Sequence, residues 1–127
     1  MKTSEMSQRQ LANMQRVFQM PFADLYPLYL SKILKKNRSE DELRAVISWL
    51  TGYENQELDR CLSSGVSLSD FFDGADVNAN AQMITGTVCG VKVQDIEDPL
   101  MRNIRYMDKL VDELALGRPL DKILRKI

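Results

Sequence analysis

"DPLMRNIRYMDKLVDELALG", residues 98–117, is the stretch on which the fold turns. Asp98 reads as a helix N-cap, and Pro99 follows at the first helical position, where a missing N–H costs nothing. Leu100, Ile104, Met107, Val111 and Leu114 then recur at 4-3-4-3 spacing, which lines up one apolar face of a single long helix. Gly117 supplies the left-handed residue that stops it. A helix over 99–116 is long enough to be the central strut of a small protein. Its polar side interleaves Arg102, Arg105 and Lys109 with Asp108, Asp112 and Glu113, and spacings such as Lys109 to Glu113 suit intrahelical pairs.

Working outward, "PLDKILRKI" (119–127) reads as a short basic tail helix. Upstream, "SEDELRAVISWLTG" (39–52) starts with Ser39 and Glu42 as a capping box. It carries Leu43, Val46, Ile47 and Leu50 as a stripe of period 3.6 and ends at Gly52. "ENQELDRCLSS" (54–64) is a shorter helix with Leu58, Cys61 and Leu62 on one side, closed by Gly65. In "VSLSDFF" (66–72), Ser67 and Asp70 repeat the capping pattern, and Val66 and Phe71 stand where a hydrophobic staple requires them.

At the start, "SQRQLANMQRVFQM" (7–20) spaces Leu11, Met14 and Phe18 helically, with Ser7 as cap and Pro21 as stop. "FADLYPLYLSKILKKN" (22–37) carries a stripe of Tyr26, Tyr29, Leu30 and Ile33 opposite Lys32, Lys35 and Lys36. Pro27 fits best in the first turn of that helix, because a start at Pro21 would leave the ring inside it as a kink. "DGADVNAN" (73–80) is a loop by composition. "MITGTVCGVKV" (83–93) is ambiguous: its β-branched residues favour a strand, and its glycines favour neither state.

The chain also echoes itself. "AVISWLTGYENQEL" (45–58) parallels "MITGTVCGVKVQDI" (83–96) at an offset of 38. Leu62-Gly65-Leu68-Phe71-Phe72 parallels Leu114-Gly117-Leu120-Ile123-Leu124 at an offset of 52. The difference of fourteen residues is nearly four helical turns, so an insertion of that length returns an apolar stripe to almost the same face. This reading gives two degenerate helix-turn-helix units, the second with the longer central helix, each burying the other's apolar face. It requires 83–90 to be helical against its strand propensity; chance similarity between two glycine-capped helices is the plainer account.

Composition narrows the chemistry. The 127 residues suffice for one real core without a disulfide or metal staple, and 44% apolar with 28% charged is ordinary for a soluble protein. The polar start "MKTSEMSQRQ" has no signal-peptide character, and no apolar run approaches membrane-spanning length. The expectation is a cytoplasmic protein. The net charge of −1 excludes a bulk field drawing it to nucleic acid. The charge is nonetheless uneven: residues 1–38 carry seven Lys/Arg against two Asp/Glu, residues 39–76 two against nine, and the last fourteen four against one.

There is no histidine, which removes Ser-His-Asp and Cys-His sites and the commonest metal ligand. Two cysteines, Cys61 and Cys89, cannot close a structural zinc site; they read as buried thiols, with a disulfide between them the alternative that spacing leaves open. No phosphate-binding glycine loop appears. Asp95, Glu97 and Asp98 cluster before the long helix, where they suit its positive end better than a cation, since no calcium loop surrounds them. Cys89 would be reactive only if a helix end lowered its pKa. Tyr26 with Tyr29, and Trp49 with Tyr53, are aromatic pairs at helical spacing that serve either as core or as a grip for bases or a peptide.

"MPFADLYPLYLSK", "VISWLTGY" and "ITGTVCGVKVQDIEDPLMRNIRYMDKLVDELALGRPLDKIL" resemble the bacterial domain-of-unknown-function family 2200 over roughly residues 15–127. The resemblance implies a small, stand-alone bacterial cytoplasmic protein and carries over no catalytic residue.

These readings predict an all-α fold of five to seven helices. Residues 15–127 form a single globular domain, and the polar extension 1–14 enters a first helix. The expected core is Leu43, Ile47, Leu50, Leu58, Leu62, Phe71, Leu100, Ile104, Met107, Val111 and Leu114. The alternative is α+β with a small hairpin at 83–93. The leading functional expectation is a non-catalytic interaction protein acting through helix faces, on a protein partner or on a second copy of itself. The alternatives are a nucleic-acid-binding helix-turn-helix protein using Lys32, Lys35, Lys36 and Arg38, and an enzyme using carboxylates or a cysteine. No catalytic residue, cofactor or metal is expected. The candidate surface or pocket residues are Tyr26, Tyr29, Trp49, Tyr53, Cys89, Asp95, Glu97, Asp98, Arg102 and Arg105.

Overall fold

Helix caps written into the sequence set most of the element boundaries. A computed structural model describes residues 7–88 and 90–126. Among these, seven α-helices occur: α1 Gln8–Gln19, α2 Phe22–Leu34, α3 Glu40–Thr51, α4 Asn55–Ser64, α5 Leu68–Asp73, α6 Pro99–Ala115 and α7 Leu120–Ile123. Ser7 and Ser39 each form a full capping box, with Gln10 and Glu42 respectively. Asp98 accepts from the Met101 N–H at 2.9 Å, with Pro99 just inside. Gly52 closes α3 with a φ of 76°. A Cβ there would also lie 3.1 Å from the Asp76 carbonyl oxygen, so both conformation and space ask for glycine. No helix among the described residues is long and apolar enough to cross a membrane.

α6 is the strut. It packs against α1, α2, α3, α5, α7 and the segment around Val88. Ile104, Met107, Val111 and Leu114 are buried, as their spacing requires, but so are Tyr106, Leu110 and Glu113. A helix enclosed from several sides buries more than one stripe. Leu43, Ile47, Leu50, Leu58 and Phe71 are also in the core. Leu62 and Leu100 reach only its rim, because they lie near the open ends of their helices. The core gains Phe22, Ile33, Leu68, Ile84 and Val93.

Three local expectations give way to tertiary structure. First, α2 begins at Phe22, so Pro27 sits inside it. Phe22 is fully buried and stacks on Phe71 at 4.1 Å. The Phe22 N–H donates to Val66 O, and the Leu68 N–H to Met20 O, both at 2.8 Å. Burial worth about 2–3 kcal/mol, with two hydrogen bonds of about 1 kcal/mol each, offsets the roughly 3 kcal/mol of an interior proline.

Second, the proposed repeat breaks at 83–96. Ala79–Met83 is a 3-10 turn, Thr87–Val88 (β1) pairs antiparallel with Val91–Lys92 (β2), and Val93–Asp95 is another 3-10 turn. Ile84, Val88 and Val93 are the buried anchors, and glycines at 86 and 90 take positive φ. The chain is thus all-α with a two-residue-strand hairpin, which lies within the span given to the α+β alternative. The later half of the echo survives as geometry: Gly65 and Gly117 both have positive φ, and each precedes a short helix that starts at Leu68 or Leu120.

Third, Glu113 does not pair with Lys109. Its carboxylate, 4% exposed, receives Arg118 at 2.8 Å and both terminal nitrogens of Arg125. These bonds fasten the tail to α6. At the same end Arg38 pairs with Glu42 and donates to the carbonyls of Leu114 and Arg118, holding the start of α3 against the end of α6.

Candidate functional site

The ten candidate residues fall into separate places. Tyr26 and Tyr29 are buried struts. The Tyr26 hydroxyl donates to Glu40 Oε2 at 2.6 Å and accepts from Arg44 Nε at 3.1 Å, with the Arg44 guanidinium 5.6 Å above the ring. Burial, and then the bond to Glu40, push the phenol up to about 12. The Tyr29 hydroxyl donates to Asp108, which also holds Arg105. Burial, and then the Asp108 charge, raise this phenol well above its ordinary value. The Tyr53 hydroxyl donates to Phe71 O at 2.7 Å, and burial raises its pKa. Trp49 is half-buried, and its carbonyl accepts from Asn78. Cys89, and with it any contact to Cys61, lies outside the described residues. Cys61 is half-buried and its thiol is pushed up by burial, then by Glu57, away from reactivity.

Asp95, Glu97, Asp98 and Arg105 do come together. They line a cleft of about 330 Å³ between α1 and the entry to α6. α1 is amphipathic: Met14 and Phe18 face the core, while Gln10, Asn13 and Val17 border the opening. The opposite wall is Val91 on β2, Ile96 and Met101. The floor is therefore apolar and one rim is acidic, with Asp95 and Glu97 exposed and the Asp98 carboxylate committed to its cap. Among the described residues no three carboxylate or thiol groups are placed to hold a metal ion.

A second depression, of about 540 Å³, shares Val17 and Arg105 with the first and continues over Met20, Leu25 and Leu28. Leu28 is 61% exposed and Val91 46%. The two depressions make one furrow along α6. Sequence reasoning found its acids and Arg105 and missed Val17, Val91 and Met101. The only sequence signal for Val17 was its place on α1 beside the inward stripe. Which outward face meets α6 depends on how α1 is rotated.

The basic cluster at the end of α2 and just beyond it is partly consumed: Lys32 pairs with Asp112, and Arg38 with Glu42. Arg102 lies apart, at a polar hollow on another side of α6.

The model of a family described as "Uncharacterized protein conserved in bacteria" matches residues 16–125. The crystal structure of the uncharacterized protein SP1917 superposes with a TM-score of 0.82 at 38% identity, over 94% of this chain and 93% of that one. Among curated proteins none matches.

Proposed function

The chain belongs to that bacterial family, DUF2200, and from this premise we propose that it is a non-catalytic interaction protein whose furrow along α6 receives an amphipathic, basic segment of a protein partner. One observation carries the reading: apolar floor and acidic rim coincide in the same cleft, with Val17, Val91 and Met101 below and Asp95 and Glu97 beside them. An apolar groove recognises the anchors of a partner helix at i, i+3 and i+4. The acids select lysine or arginine on its flank and disfavour acidic partners. The volume of about 330 Å³ accommodates a few large side chains rather than an enclosed cofactor.

An 18-residue Leu/Lys amphipathic peptide is a sufficient probe. Titrated into isotopically labelled protein, it should shift the amide signals of α1, residues 91–98 and the first turns of α6. Val17→Glu and Met101→Lys should each weaken binding at least tenfold, since each places a charge on the apolar floor. Shifts centred elsewhere, or affinity unchanged in both variants, overturn the reading. So does sedimentation showing the same face already closed between two copies.

A further inference from the structure

On the side of α6 away from α1, the turn 78–82, Gln94 and α6 enclose a polar hollow of about 530 Å³. Its chemistry comes from Asn78, Gln82, Gln94, Arg102, Asn103 and Tyr106, and no carboxylate lines it. Asn78 is spent on structure: its amide nitrogen donates to Trp49 O at 3.2 Å, and its side-chain oxygen accepts from the Asn80 N–H at 2.8 Å. Gln94 is partly spent too, since its side-chain oxygen accepts from the Gly86 N–H at 3.2 Å, which leaves its amide N–H groups, with Gln82, Asn103, Arg102 and Tyr106, to face the space.

Two of those groups are uncommitted to carboxylates or to other strong partners within the fold. Tyr106 is 6% exposed as a residue, and its hydroxyl, which has no hydrogen-bond partner among the described residues, is not itself a buried atom and is left open at the hollow. Every other tyrosine of the chain has one: Tyr26 with Glu40, Tyr29 with Asp108 and Tyr53 with Phe71. The Tyr106 ring is packed in the core while its O–H stays accessible, so the hydroxyl is free to bond a molecule in the hollow. Arg102 is the second. The other half-buried arginines among the described residues, Arg38, Arg44, Arg105 and Arg125, each hold a carboxylate. Arg102 holds only the Ile96 carbonyl, at 3.4 Å, and has no carboxylate partner among the described residues.

We propose that this hollow binds a small polar molecule bearing an oxyanion, with Arg102 holding the anionic group, the Tyr106 hydroxyl bonding to it or its neighbour, and the carboxamides of Gln82, Gln94 and Asn103 reading the polar body. The guanidinium fork matches the paired oxygens of a carboxylate or a phosphate. The carboxamides of Gln82 and Asn103 both donate and accept, and that of Gln94 keeps its donors, so together they suit a hydroxylated body. The space exceeds what a bare oxyanion fills and fits a ligand of sugar-phosphate or tricarboxylate size. This site shares no residue with the α1–α6 furrow, so its test stands apart from that of the proposed function.

The test is calorimetric titration of the full chain with glucose 6-phosphate, citrate, inorganic phosphate and, as neutral control, glucose. Side-chain amide signals of Gln82, Gln94 and Asn103 are followed in parallel. Binding of glucose 6-phosphate or citrate with those amides shifted is the expected result, and whichever binds names the oxyanion. Arg102→Gln should weaken it by roughly tenfold or more, and Tyr106→Phe by roughly three- to tenfold. Gln82→Glu, at an exposed position that leaves the core untouched, should abolish it by bringing a carboxylate to Arg102. Glucose binding as well as its phosphate, inorganic phosphate alone binding with the amides unmoved, no probe binding at millimolar concentration, or affinity indifferent to Gln82→Glu each overturns the proposal.

Discussion

Glu113→Ala should release the C-terminal tail from α6, and the size of the effect follows from the geometry. The Glu113 carboxylate is 4% exposed and Arg125 11%, so both charges are desolvated. Removing one partner of such a pair strands the other, at about 3–5 kcal/mol. The lower end applies, because Arg125 keeps the Ile123 carbonyl at 2.7 Å and stands near the end of the chain. Arg118 adds little, being half exposed. A loss of about 3 kcal/mol in urea unfolding is therefore expected, and about 10 °C in Tm for a chain of this size. Arg125→Met alone should cost about 2–3 kcal/mol by leaving the carboxylate buried with a single exposed arginine. The pair Glu113→Leu with Arg125→Met removes both charges and fills the space, so it should return to within about 1 kcal/mol of the parent. Single effects under about 1 kcal/mol, or a double variant equal to their sum, would refute the claim that this is a desolvated, coupled pair.

Two further outcomes test the local energetics. Pro27→Ala should raise stability by about 1–3 kcal/mol in denaturant unfolding, because it restores an N–H to the interior of α2 and Pro27 itself is exposed; a loss would mean that the helix needs the ring. Raising the pH should destabilise the fold from about pH 10, the ordinary tyrosine value, up to about 12, where Tyr26 ionises in the native state. In that window the folded chain holds a proton that the unfolded chain has lost, so the stabilisation is complete below pH 10 and declines above it. Tyr29 acts in the same direction. Urea midpoints at pH 9, 10 and 11 should fall more steeply for the parent than for Tyr26→Phe, and equal slopes would refute the assignment.

The candidate site was legible only in part. Asp95, Glu97 and Asp98 stood out because three acids before a helix start form a local pattern, and they do border the cleft. The tyrosines stood out for the same local reason, but their destinations lie 14 residues away for Tyr26, at Glu40, and 79 for Tyr29, at Asp108. Helical spacing fixes which face a side chain shares. It does not say whether the neighbour across that face is solvent, a ligand or a carboxylate. Arg102 and Arg105 look alike in sequence, one turn apart, yet Arg105 meets Asp108 while Arg102 faces a hollow without an acid.

By itself the sequence determined where most of the helices start, which residues share each apolar stripe and that α6 is the central strut. Caps such as Ser39 with Glu42 and Asp98 with Pro99 act over three or four residues and outweigh competing local choices. Only tertiary structure decided that Phe22 would draw Pro27 into a helix, that 83–93 would turn twice rather than coil, and that Glu113 would reach the tail instead of Lys109. In each case burial or desolvation across elements is worth several kcal/mol, whereas local preferences are worth about one or less per residue outside proline. The longer-range term prevails wherever the core can reach.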